Sequence, residues 1–429
     1  MENRSLAGAL ILSLLLASGA RAADSHAAID SAAERYVRLQ LAIGVHDSDH
    51  VGWYYGPPQW RTQAEAERLP NDALKPIADR LLVDARAGSA RASDPQTQRR
   101  WRFLLAHLEA ARFRLDQLSG VKLSFDEEAR RLFGVVPELQ PLESYDAVLA
   151  RIDALVPGAG ALSERVEAFR NRFAVPPDRV AAVMQAAVEE CRRRTRAHIA
   201  LPSGDAFTLE LVRSSGWSGN NVYQGHARGT IQFNTDFPMI VDRVIELACH
   251  ESYPGHHAHV SLLDERLLRQ RGWIEYSIFP LFGPLGFIAE GEASNAYAVA
   301  FPPDELVRFE STVLYPMAGI DPSDAPRLRS LRAELNQLAG ARLTIDRLFL
   351  DGRLDRAGAL ALLQKYQLVS PAFAVKILAF AEKYRSYVIN YGLGEIAVRN
   401  YLRRGGDAAA TRWRALEALI AEPSLPADL

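Results

Sequence analysis

Residues 249–259 read CHESYPGHHAH, and the way this stretch folds decides what kind of protein the chain forms. It holds His250, Glu251, His256 and His257, the residue types of a zinc-hydrolase helix, at the wrong spacing. A helical His-Glu-x-x-His pairs histidines four residues apart, and the position four after His250 is Pro254. On a continuous helix His256 would stand about 9 Å along the axis from His250 and roughly 240° around it. His257 would return to the same face but lie more than about 10 Å away. Two nitrogens each about 2.0–2.1 Å from one zinc cannot be so far apart. A continuous helix is not what the sequence predicts, however. Pro254 has no N–H for the carbonyl of His250 and pushes Tyr253 out of helical dihedrals. Gly255 can adopt the positive φ that turns the chain back. A Pro-Gly break therefore supplies a bulge that can return His256 to a shared metal. The odd spacing and the helix breakers explain one another.

A metal on two imidazoles needs a further ligand and, for hydrolysis, a base. Glu251, next to His250, stands where zinc hydrolases of this helix type place the group that takes a proton from the attacking water. Downstream, GFIAEGEASNAYA (286–298) puts Glu290 and Glu292 in an expected helix that starts after FPLFGPLG. Two apart on a helix, only one of them can face the metal. Three roles are open to His257: support of a ligand, contact with substrate, or ligand in place of His256. His259 is expected on the helix surface or in packing, and His226 on a surface loop.

Working outward, FTLELV (207–212) and GTIQFNT (229–235) alternate and predict two short strands joined by a turn-rich connection. Asn234, Thr235 and Asp236 ahead of Pro238 predict the cap of a helix running MIVDRVIELACHE (239–251). Its buried face should carry Ile240, Val241, Val244, Ile245 and Ala248. From Ala28 to about Ala200 the spacing is helical, interrupted by HDSDHVGWYYGPPQW (46–60), read as a loop. His46, Asp47, Asp49 and His50 there form a weaker candidate for a second metal, because Asp and Ser before Gly and Pro are ordinary turn residues. From Asp304 onward the chain is again helical, with breaks expected near Pro316, Pro322, Pro371 and YGLGE (391–395). It shows neither internal repeats nor low-complexity tracts.

The chain has 429 residues, 48% hydrophobic, with a net charge of −2. It is long enough for a large core, and its neutral balance argues against nucleic acid or anionic membrane as partner. The basic run CRRRTR (191–196) is read as a solvated helix face. At the N-terminus, Arg4, an apolar run from Leu6 to Ala20 and Ala20-Arg21-Ala22 have the pattern of a secretory signal peptide cleaved near Ala22. No cysteine stands directly after that run, at the cleavage site, and no second apolar stretch of about 18 residues occurs. A periplasmic or secreted protein without a stable membrane anchor is expected. Residues 1–22 are assigned as signal peptide, 23–202 as an N-terminal helical region and 203–429 as a catalytic region interlocked with it. Cys191 and Cys249, the only cysteines, leave one bridge or two buried thiols as alternatives.

The segments NT…LACHESYPGHHAHV…AEGEA resemble the bacterial domain-of-unknown-function family 885, whose members carry HExxPGHH and then an E-G-W-A-type segment. That family is similar to zincin metallopeptidases related to thimet oligopeptidase and carboxypeptidase Taq, in which a glycine directly precedes the second ligand histidine, as Gly255 precedes His256. The resemblance implies a mainly α-helical zincin-like fold with a small β-sheet beside the active-site helix. It implies one Zn2+ per chain on His250, His256 and Glu290, with Glu251 as base. Tyr391, in a Tyr-Gly-x-Gly segment, is implied as the hydroxyl that stabilises the tetrahedral oxyanion, with Tyr387 and Arg385 as rivals. Glu292 stands where the family carries Trp, so both glutamates remain candidate ligands. Asn234 matches the family's Asn ahead of the helix, on a strand that in zincins is an edge binding extended substrate backbone; helix capping is its alternative role. The likeness covers about residues 230–300 and continues weakly through YRSYVINYGLGEIAVRNYL (384–402). The function implied is an exported zinc metallopeptidase acting on short peptides, of open oligomeric state. The alternatives are a zinc hydrolase of a non-peptide amide or ester and a non-catalytic zinc-containing periplasmic binding protein.

Overall fold

The computed structural model describes residues 26–213 and 217–429, and the expected signal peptide lies outside them. No helix of the described residues is long and apolar enough to cross a membrane. The fold is mainly α-helical with small sheets, as the sequence predicts. It divides into two compact units, one from the described part of Met1–Val121 with Leu268–Gly283, the other from Lys122–Leu267 with Pro284–Leu429.

In the first unit, helix 26–44 and helices Asn71–Arg91 and Pro95–Leu118 share a core of Ile29, Tyr36, Leu74, Leu81, Trp101 and Leu108. Asp94 caps the third of these by accepting from the Thr97 N–H at 2.8 Å, and Pro95 follows where no amide donor is needed. Gly88 is required by packing: a Cβ there would lie 2.3 Å from Trp101 Cζ2. The 46–60 segment contains a strand, β1 (Val51–Tyr54), antiparallel to Ile278–Pro280. Arg100 ties the 268–283 segment down from within the core. Its guanidinium holds Glu275 through two bonds of 2.5 and 2.9 Å and Asp30 through a third of 2.6 Å.

The second unit holds a three-stranded sheet of β2 (Ala206–Val212), β3 (Gly219–Gly225) and β4 (Arg228–Asn234), in the order β2-β4-β3. β2 runs parallel to β4 and β3 antiparallel. The expected connection between two strands thus contains a third, whose Gly and Asn content hid it. The helix after β4 is Val241–Glu251, shorter at its start than the sequence predicts. Met239 and Ile240 are drawn instead into a β-bridge with 173–175, where Val175 N–H donates to Met239 O at 2.8 Å. Its inward face is the expected one: Ile240, Val241, Val244, Ile245 and Ala248 are all buried.

Helices Pro284–Ala300 and Ile389–Arg403 pack tightly across two glycines. A Cβ on Gly291 would lie 2.5 Å from Gly394 O, closer than any side chain permits. That crossing corrects the expected break at YGLGE (391–395), which lies inside the second helix. The chain breaks earlier, at Arg385, whose φ is +51°. Cys191 and Cys249 form a disulfide with a Cα–Cα distance of 5.6 Å, joining Val180–Arg196 to the end of Val241–Glu251.

Candidate metal centre

The Val241–Glu251 helix ends one residue after His250, and a second helix, His256–Leu262, begins at His256. Between them lies the predicted break, with a cis Tyr253–Pro254 bond. Gly255 does not take a positive φ, as the sequence reading expected; its φ is −73°. Glycine is needed for space instead. The Gly255 N–H donates to Cys249 O at 3.1 Å, and a Cβ would fall 2.1 Å from His250 O. The chain folds back so sharply that only a residue without a side chain fits against the preceding helix end.

The break brings the rings of His250 and His256 to a centroid distance of 4.7 Å, nearly perpendicular at 84°. Glu290, from Pro284–Ala300, points its Oε2 between them, 3.4 Å from His250 Nε2 and 3.7 Å from His256 Nε2. One ligand atom from each of the three lies within 4.8 Å of the others, so the group can hold a metal ion. Two atoms each about 2.1 Å from a tetrahedral ion stand about 3.4 Å apart, which the two Glu290 contacts of 3.4 and 3.7 Å approach. Glu290 Oε1 accepts from the Tyr387 hydroxyl at 2.8 Å, whereas the buried Oε2 has no hydrogen-bond partner. A buried carboxylate oxygen without a donor is costly unless a cation fills the place.

The electrostatics agree with this. Burial opposes the charge on Glu290, but the two imidazoles outweigh it and hold the carboxyl well below the usual range. Burial also disfavours a charged His256, yet Glu290, Glu251 and Glu292 push its imidazole up to about 9. Positive charge is favoured here.

Glu251 is buried, and burial raises its carboxyl above the ordinary range, offset in part by His250 and His256. Its Oε1 is 4.0 Å from His250 Nε2. It rests against β3, where a Cβ on Gly219 would come within 2.6 Å of that oxygen, while Asn221 Nδ2 donates to the Glu251 carbonyl at 3.1 Å. Sequence reasoning missed Gly219 and Asn221 because it had no strand there. Tyr387 and Tyr391 face each other at 5.9 Å between ring centres. Burial, and then the charge of Glu290, keep both phenols well above the usual value, so they remain donors. Arg385 is turned elsewhere and donates to Glu128 at 2.7 Å.

The neighbouring histidines have other partners. His257 is fully buried with Nε2 3.2 Å from Asp205 Oδ1, which also accepts from the Tyr253 hydroxyl at 2.7 Å. Arg192 and Arg196 hold the other Asp205 oxygen, so this part of the 191–196 run is an anchor and not a solvated face. Burial works against the Asp205 charge, but His257, Tyr253 and Arg192 bring its carboxyl down to about 2. Asp205 had no signal in the sequence. His259 is buried, the packing alternative of the two expected, and pairs with Glu292. His226 lies exposed in the β3–β4 turn, as expected.

Asn234 ends β4, its amide donating to Trp217 O at 2.9 Å and its oxygen accepting from the Asp236 N–H at 2.9 Å. It does not cap the helix, whose N-cap is Ile240. Nor is β4 an edge, since it lies between β2 and β3. The strand lying against Glu251 is β3. His46, Asp47 and His50 in the first unit do not converge: each is held by its own partner, Leu69 O, Arg114 and Gln40 respectively. Among the described residues, His250, His256 and Glu290 are the one group close enough to hold a metal ion.

The chain matches no protein family and no curated protein. Among solved structures, a protein assigned as a lipoprotein of Colwellia psychrerythraea is 16% identical, at a TM-score of 0.50, over 85% of this chain and 70% of its own. This likeness is one of fold. A structure named BsuCP (11% identity, TM-score 0.42, 93% and 90% coverage) and an M32 carboxypeptidase of Deinococcus radiodurans R1 (13%, 0.36, 94% and 90%) are more distant in shape.

Proposed function

We propose that the chain is a zinc-dependent peptidase, and the observation that carries this reading is the convergence of His250, His256 and Glu290 beside the buried carboxylate of Glu251. Two imidazoles and one carboxylate suit zinc, and the residues present fit it. Zinc bound there would supply Lewis acidity to a scissile carbonyl and to the attacking water. Glu251 takes the proton of that water and returns it to the leaving amine, a transfer that its raised affinity for protons favours. Tyr391 donates its hydroxyl to the developing oxyanion, and Tyr387 orients Glu290. An extended substrate aligns along β3, which has one strand partner among the described residues and carries Gly219 against Glu251. The N-terminal apolar run and the Cys191–Cys249 bridge support a periplasmic or secreted location.

A closed structural zinc site would need a fourth protein ligand. His257, the nearest candidate in sequence, is instead engaged by Asp205, which favours catalysis over storage. The experiment is to load purified protein with zinc and assay a peptide library alongside amide and ester reagents. Wild type should cleave peptides, and Glu251→Gln should keep its zinc while losing activity about 1,000-fold or more. Cleavage of the esters or non-peptide amides alone would replace the peptidase reading with a general hydrolase, and zinc without any turnover would leave a binding protein.

A further inference from the structure

Two histidine–carboxylate pairs join the same two helices. One is His256 with Glu290. The other, His259 with Glu292, lies 3.2 Å apart between Nδ1 and Oε1, with the two residues only 4% and 0% exposed. His259 follows His256 by three residues, on the same side of its helix, and Glu292 follows Glu290 by two. His259 Nε2 and Glu292 Oε2 have no other hydrogen-bond partner, so each side chain depends on the other.

A buried pair of this kind contributes little to stability, because desolvation offsets the attraction. It does fix register: a slip or rotation of either helix leaves two buried polar groups unpaired. The other anchors around the centre act elsewhere. The Cys191–Cys249 bridge secures the His250 helix, Tyr387 holds the Glu290 carboxylate, and Asp205 ties the start of the His256–Leu262 helix towards Arg192. His256 itself has no side-chain hydrogen bond outside the cluster among the described residues.

We infer that His259 and Glu292 are positioning residues for the metal centre, setting the His256–Leu262 helix against Pro284–Ala300 so that His256 and Glu290 meet at one ion. The inference rests on the metal reading. In this account Glu292 is neither a ligand nor a substrate contact; its charge reaches His256, but its main action on the metal is through the helix that carries His256.

The test is zinc affinity of the full chain, measured by competition with a chromogenic chelator, together with the melting temperature of the zinc-free protein. Glu292→Gln keeps the shape and the hydrogen bond, so its affinity should stay within about threefold of wild type. Glu292→Leu breaks the pair and should bind zinc about tenfold more weakly or worse. The double variant His259→Phe/Glu292→Leu removes both polar groups, so its zinc-free melting temperature should stay near wild type while its zinc affinity stays low. A purely structural role would move affinity and melting temperature together. Wild-type zinc affinity in the double variant, or an equal loss in Glu292→Gln and Glu292→Leu, overturns the inference. Absence of zinc binding by wild type overturns the metal reading with it.

Discussion

Residues 46–50 (HDSDH) and 250–257 (HESYPGHH) are both dense in histidine and carboxylate, yet only the second gathers them at one point. In the first, each side chain is drawn to a separate partner: His46 to a backbone carbonyl, Asp47 to Arg114, His50 to a buried Gln40. His50 Nδ1 stays without a hydrogen bond, but no second or third ligand atom among the described residues converges on it. In the second, the break at Pro254 and Gly255 turns one ring back towards another, and a distant helix adds Glu290 with one buried oxygen unpartnered. Local composition is the same in kind. What separates the two is whether tertiary contacts draw the side chains to separate partners or leave several of them facing one point.

The sharpest way to break this contrast is to exchange the predicted outcomes by mutation. His256→Ala or Glu290→Ala should leave less than about a tenth of the wild-type bound zinc, whereas His50→Ala and Asp47→Ala should keep all of it by elemental analysis. Equal loss in both groups would erase the distinction.

The next largest effect is on stability and lies among the satisfied pairs. Asp205→Ala leaves Arg192 and His257 without their shared carboxylate and should cost about 3–5 kcal/mol in chemical denaturation. Because the folded Asp205 carboxyl is depressed to about 2, its contribution is present above the unfolded pKa of about 3.8 and lost as pH falls through 2. The gap between wild type and Asp205→Asn should therefore close between about pH 4 and pH 2. A gap that widened over that range would contradict the assignment.

Tyr387→Phe removes the donor to Glu290 Oε1 and should weaken zinc binding by up to about tenfold, with the fold intact by circular dichroism. The smallest change is expected for His46→Ala, an exposed side chain whose partner is the Leu69 carbonyl. It should shift stability by about 0.5 kcal/mol and leave zinc untouched.

Parts of this were legible in advance. The inward face of the Val241–Glu251 helix follows from the spacing of five apolar residues, and the break from a proline that cannot donate. The sequence marks Gly255 but for the wrong reason, since it cannot distinguish a glycine required by φ from one required because a Cβ would fall 2.1 Å from a carbonyl. The same holds for YGLGE, where two glycines that look like a helix stop are packing positions, Gly394 against Gly291 and Gly392 against Leu343. β3 was invisible because GNNVYQG (219–225) has neither alternation nor branched residues enough to announce a strand, and pairing with β4 makes it one.

The sequence alone determined the residue types of the centre, the broken helix that carries them and the mainly helical class. Those follow from local chemistry: ring nitrogens, a missing amide hydrogen and apolar spacing act within a few residues. The tertiary structure decided which histidine does what. His256, His257 and His259 stand within four positions of one another, and their partners, Glu290, Asp205 and Glu292, come from distant segments. Burial forces each polar side chain to find a partner, and which partner is within reach is fixed only when the helices and the sheet pack.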